Sequence, residues 1–157
     1  MLALLAVLAT STHTVNLPKV FAHALPRVKA HTSVPVLLPE RFTSEFAHVF
    51  PSGDGTRREW SLELGAVRRC GGADACFVAD FLGQRGGKPF GRKRVRLARG
   101  RTGWFTPLSC GASCAPPMIQ WRERRATFSI QARVGTKSTE RRALIALANS
   151  AIRHGPR

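Results

Sequence analysis

Residues 119–134 read IQWRERRATFSIQARV, and their alternation decides the fold. Ile119 and Trp121, then Phe128, Ile130, Ala132 and Val134, fall on one side, while Thr127, Ser129, Gln131 and Arg133 fall on the other. A period of two belongs to strands with one face buried and one in water. Glu123 to Arg125 interrupts the alternation and marks a bend, which makes the stretch a hairpin. Directly after it, Ser138 or Thr139 is placed to cap a helix whose first turn holds Glu140 near the positive dipole end. Leu144, Leu147, Ala148, Ala151 and Ile152 form one stripe along that helix, and Gly155 and Pro156 stop it. A half-apolar hairpin and a single-striped helix bury both apolar surfaces if the helix lies on the sheet.

The same alternation recurs upstream. Trp60, Leu62 and Leu64 alternate with Ser61 and Glu63, and beyond a CGGADAC turn Phe77, Ala79 and Phe81 alternate with Val78 and Asp80, so residues 60–82 read as a second hairpin. A further strand is centred on Val95 and Leu97, with Arg94 and Arg96 on its other side, and Trp104 and Phe105 follow a turn between Gly100 and Gly103. Residues 51–56, PSGDGT, carry turn chemistry and read as a loop. Val34 to Leu38 reads as a short strand closed by Pro39, and residues 25–32, LPRVKAHT, as a short helix with Pro26 in its first turn. The expected fold is α+β: an antiparallel sheet of five or six strands, with a short N-terminal helix and a C-terminal helix packed on one face. A chain of 157 residues accommodates one core, expected over residues 25–157.

The text IQWRERRATFSIQA, followed by a capped helix ending LANSAI, resembles the C-terminal part of uncharacterised bacterial extracytoplasmic domains. Some of these occur in secreted proteins and some are attached to regulators of envelope sigma factors. The resemblance covers residues 117–153 and lies in the packing pattern. It implies a sheet-plus-helix fold and an envelope location, and it brings no catalytic residues with it.

Residues 2–9, LALLAVLA, match the apolar core of a secretory signal and fall far short of the roughly 20 residues that span a bilayer. Two small-residue cleavage patterns follow, at Val7-Leu8-Ala9 and at Ala22-His23-Ala24. Cleavage after Ala24 gives a signal of ordinary length, so residues 1–24 read as a signal peptide and the destination as secreted or periplasmic. In such a compartment Cys70, Cys76, Cys110 and Cys114 are expected as disulfides. Three connectivities are formally open. Crossing the pairs would close longer loops and stabilise more, but neighbours in turn-rich text meet without any particular strand order, which favours Cys70–Cys76 and Cys110–Cys114.

Several chemistries are excluded by spacing. Neither cysteine pair has the two-residue gap of a zinc knuckle or a thioredoxin-like site, and no motif calls for a metal or cofactor. The segment GQRGGK, residues 83–88, has Leu82 where a phosphate-binding loop needs its first glycine and Pro89 where it needs Ser or Thr, so it reads as a glycine-rich hairpin. No G-x-S-x-G elbow is present. His31, His48 and His154 are too scattered to be paired as acid and base. Glu59 and Glu63, four apart on a strand, are about 13 Å apart, too far for a glycosidase pair.

Charge is the one feature that points to a partner. There are 25 Lys and Arg against nine Asp and Glu, a net charge of +16, which attracts anions. Between Asp80 and Glu123 no carboxylate occurs, whereas Arg85, Lys88, Arg92, Lys93, Arg94, Arg96, Arg99, Arg101 and Arg122 do. Trp104 and Phe105 adjoin this tract, and cations beside aromatic rings suit a polyanion. The bland alternative is a solubilising face over core aromatics. The expected function is therefore a non-enzymatic module for anionic surfaces or polymers: envelope polymer, anionic lipid headgroups or nucleic acid. Two rivals are a carrier of an apolar ligand lined by Trp60, Phe77, Trp104, Trp121 and Phe128, and a small secreted hydrolase.

Overall fold

The hairpin at 119–134 forms as its alternation requires, and a larger sheet is assembled around it. The structure, a computed structural model, describes residues 11–157; the apolar run at 2–9 lies outside them. In chain order the elements are β1 (His13–Asn16), α1 (Leu17–Val20), α2 (Ala24–His31), β2 (Arg41–Ser44), β3 (Phe50–Thr56), β4 (Glu59–Gly65), β5 (Phe77–Arg85), β6 (Lys93–Arg96), β7 (Thr102–Thr106), β8 (Ser109–Cys110), β9 (Cys114–Ala115), β10 (Met118–Glu123), β11 (Ala126–Ala132) and α3 (Glu140–His154). Seven of them make one antiparallel sheet in the order β3-β4-β5-β11-β10-β7-β6.

The expected five or six strands become seven, and the difference lies in two segments. PSGDGT is an edge strand rather than a loop. Its Gly53 and Gly55 stand opposite Leu62 and Trp60, where a Cβ would run into Leu62 and the Val28 backbone respectively. The glycines are there so that α2 can lie directly on β3. Conversely, Val34 to Leu38 joins no strand of the sheet. It is a buried extended segment over the sheet, tied by the Trp60 indole N–H to the Pro35 carbonyl at 3.0 Å and by a single bridge between Leu37 and Pro156.

Strand register divides the sheet into two faces. One carries Trp60, Leu62, Leu64, Phe81, Phe105, Ile119, Trp121, Phe128 and Ile130, all buried. The α2 residues Ala24 and Val28 meet this face at Gly53 and Gly55, and the α3 stripe Leu144, Leu147, Ala148, Ala151 and Ile152 belongs to the same core. The other face carries Ser61, Glu63, Asp80, Leu82, Ser129, Gln120, Trp104, Arg94 and Arg96. Among the described residues no helix packs on it. The helix cap differs from expectation in detail: the Thr139 hydroxyl accepts from the Thr136 N–H, and Glu140 is buried and accepts from the Leu108 N–H at 3.2 Å.

The core reaches further toward the N-terminus than the hydropathy pattern suggests. β1 pairs with β2 in a separate two-stranded sheet. Val15, Leu17, Phe21 and Phe42 are buried in the main core, with Phe21 edge-on to Phe81 at 6.2 Å between ring centres. Residues 13–24 are thus part of the folded body, and processing after Ala24 would remove three of its core side chains.

The hairpin phase is open to a direct test. Ile130→Ala is expected to cost about 2–5 kcal/mol in urea unfolding, because Ile130 sits on the apolar face beneath α3. Gln131→Ala is expected to cost about 1 kcal/mol, the worth of one hydrogen bond, since the Gln131 amide donates to the Pro116 carbonyl at 3.1 Å. Equal losses at the two positions would mean that the strand phase is wrong.

Candidate anion-binding site

The two ends of the sheet carry different chemistry. Both disulfides form locally, Cys70–Cys76 and Cys110–Cys114, and among the described residues no cysteine is free. They staple loops at one end of the sheet. At the other end lie the turns at 57–58, 97–101 and 124–125 and the point where β5 leaves the sheet after Arg85.

From that point the chain does not make the expected glycine-rich hairpin. β5 is third in the sheet and β6 last, so residues 86–92 must cross β11, β10 and β7. They do so over the open face. Gly86 and Gly87 take positive φ to turn the chain, the Phe90 N–H donates to the Gln120 side chain at 2.9 Å, and Gly91 lies on the Trp104 backbone, where no Cβ would fit. The crossover leaves Lys88 and Arg92 exposed, and Phe90 is 71% exposed.

The predicted cations are dispersed by this topology into three settings. Arg94 stands directly opposite Trp104 across the β6–β7 pair, on the open face, with Arg96 two residues on. Both arginines are exposed, and Trp104 is half-buried. Lys88, Arg92 and Lys93 follow the crossover and the start of β6. Arg85, Arg99, Arg101 and Arg122 fall at or next to the turn end of the sheet, and three of these have protein partners. Arg101 makes a two-point contact with Glu123, at 2.6 and 3.0 Å, which raises its pKa still further. Arg85 donates to the Ser33 hydroxyl and Arg99 to the Arg153 carbonyl, each at 3.0 Å. The other six, Lys88, Arg92, Lys93, Arg94, Arg96 and Arg122, are exposed and make no ion pair among the described residues.

Sequence reading misses a second group of cations. Arg57 and Arg58 in the β3–β4 turn, and Arg124 and Arg125 in the β10–β11 turn, are exposed at the same end as Arg85. Nothing local connects these segments, since only the strand order brings them side by side. At the disulfide end, a cleft of about 680 Å³ is lined by Phe50, Ser52, Glu63, Arg68, Cys70 and Phe77 among others, with the Arg68 guanidinium 5.2 Å above the Phe50 ring. Asp80 stands beside Glu63 on the open face. Burial, and then the Glu63 charge, push its pKa from 3.8 to about 6, against the lowering effect of the Phe81 N–H.

The histidines do not converge. His31 contacts the Arg27 carbonyl, His154 pairs with Glu40 at 3.0 Å, and His48 borders a separate groove with Asn16 and Lys19. No group of three or more metal-ligating side chains occurs among the described residues, nor any helix long and apolar enough to cross a membrane. No family model, curated protein or solved structure matches the chain.

Proposed function

We propose that this chain is an exported, non-enzymatic module that binds anionic polymers or surfaces. The observation that carries the reading is the Arg94–Trp104 pair on a sheet face that, among the described residues, no helix covers. An exposed arginine directly opposite a half-buried tryptophan on one sheet face offers both charge and an aromatic surface to an anion that carries rings or sugars. Arg96 flanks the pair, and the crossover adds Lys88 and Arg92 without a compensating carboxylate. The two disulfides support an oxidising compartment. The apolar-carrier reading has less support, because the five side chains it needs do not line one cavity. Trp121 stacks on Phe128 at 5.5 Å, Trp60 covers Gly83, and Trp104 lies on the opposite face.

Binding to heparin, single-stranded DNA and anionic vesicles, measured from low to physiological salt, tests the proposal. Arg94→Glu with Arg96→Glu is expected to flatten the log–log salt slope for DNA by roughly 1.5, at about 0.7–0.9 for each phosphate no longer neutralised. Arg141→Glu with Arg142→Glu, on α3, is expected to do less. No binding to any of the three at low salt would sink the proposal, as would equal losses from the two double variants.

A further inference from the structure

We infer that the turn end of the sheet is a track for a linear polymer of phosphodiesters, laid across the strand ends along Arg57, Arg58, Arg85, Arg124 and Arg125. The inference rests on the anion-binding reading above and gives it a site and a ligand chemistry that the basic tract alone does not.

Three observations carry it. The first is contiguity. The Arg85 N–H donates to the Arg58 carbonyl at 2.7 Å, and the Gly86 N–H donates to the Arg125 carbonyl at 2.8 Å, so three chain segments present arginines in one row. Counted across β3, β4, β5, β11 and β10, the strands whose ends carry these arginines, the row covers at most four strand spacings, roughly 19 Å. At about 3.4 Å for each stacked nucleotide, that is room for five or six phosphates. The second is the charge balance. The carboxylates at this end are Glu59 and Glu123, and Glu123 is already engaged by Arg101. Arg57, Arg58, Arg124 and Arg125 are exposed, and among the described residues none of them makes an ion pair.

The third observation is the backbone at the turns. Arg124 and Arg125 have φ of 49° and 64°, the geometry of a tight two-residue hairpin that Asn-Gly adopts without strain. Arg99, in the neighbouring turn, has φ of 55°. Side chains with a Cβ are disfavoured there, so the hairpin gives up stability to hold guanidinium groups at its tip. A guanidinium fork matches two phosphate oxygens at once, and a linear row of forks matches a repeating phosphodiester better than a branched or sheet-like anion.

The decisive variant is Arg124→Asn with Arg125→Gly, which relieves the turn while removing two cations. It is expected to melt at the same or a higher temperature than the parent, yet to bind a 16-nucleotide oligothymidylate about tenfold more weakly at about 0.15 M salt, with a salt slope smaller by roughly 1.4. Arg57→Gln with Arg58→Gln, at the far end of the row, is expected to lose a similar amount. Arg141→Gln with Arg142→Gln, on α3, is expected to change affinity less than threefold. Affinity should rise with oligonucleotide length up to about six residues and then level off. A glycerol-phosphate polymer bound as tightly as oligothymidylate would identify the phosphodiester itself as the ligand, and binding of oligothymidylate alone would identify nucleic acid; either outcome fits the track. Losses confined to Arg94→Glu with Arg96→Glu would overturn the track and leave the binding module standing. Heparin or anionic vesicles bound as tightly as oligothymidylate, with the same sensitivity to the turn variant, would overturn the phosphodiester assignment. No binding to any polyanion would overturn both.

Discussion

A chain shortened to begin at Leu25 will not fold. The truncation removes β1 and α1, and with them Val15, Leu17 and Phe21, whose side chains are buried against the main sheet. At about 1.5–3 kcal/mol for each fully buried side chain, the direct loss is about 5–9 kcal/mol. It also uncovers Phe81, on which Phe21 stands edge-on, and leaves β2 without its only partner strand among the described residues. A domain of this size has about 5–15 kcal/mol of stability in all, so the truncated chain should show no cooperative thermal transition and should lose the near-ultraviolet signal of its packed tryptophans. Phe21→Ala in the full chain should cost about 3–5 kcal/mol and provides the graded version of the test. A truncated chain with parental stability would mean that residues 13–24 are dispensable, and cleavage after Ala24 would then be compatible with folding.

What is legible in the sequence follows from what each signal depends on. The β10–β11 and β4–β5 hairpins and the α3 stripe depend on neighbours within a few residues, and all three stand out as periodicity. The local disulfides are legible for the same reason. β3 is not, because its reason for glycine is α2, which packs on it from some 25 residues upstream. The β1–α1 segment escapes because Val15, Leu17 and Phe21 stand between the apolar run at 2–9 and the Ala22-His23-Ala24 pattern, inside the range read as a signal peptide, and show no periodicity of their own. The site is legible only in part. The tract from Arg85 to Arg101 is visible as a run without carboxylates, but its division among face, crossover and turn end depends on strand order. Arg57, Arg58, Arg124 and Arg125 join Arg85 only because β4, β5 and β11 are adjacent.

Asp80→Asn is expected to stabilise the protein at neutral pH and to do little in acid. Asp80 lies on the open face between Glu63 on β4 and Gln131 on β11, and its Oδ1 is buried with no hydrogen-bond partner among the described residues. Burial is the larger reason that its pKa is raised to about 6 from 3.8, and the Glu63 carboxylate adds to it. Between those two values the folded state holds a proton that the unfolded state has released, so stability falls as pH rises from about 4 to about 6 and is level above that. The full penalty is about 3 kcal/mol, the free energy equivalent of a change from 3.8 to about 6 at 1.36 kcal/mol for each pH unit. An asparagine keeps the shape, carries no charge to desolvate and turns an amide donor toward Glu63. Urea unfolding should therefore show Asp80→Asn more stable than the parent by up to about 3 kcal/mol at pH 7, with the difference vanishing near pH 4 and the parent's decline between them flattened. Asp80→Asn less stable than the parent at pH 7 would mean that a charged carboxylate is wanted at this position and that burial beside Glu63 does not strain the fold.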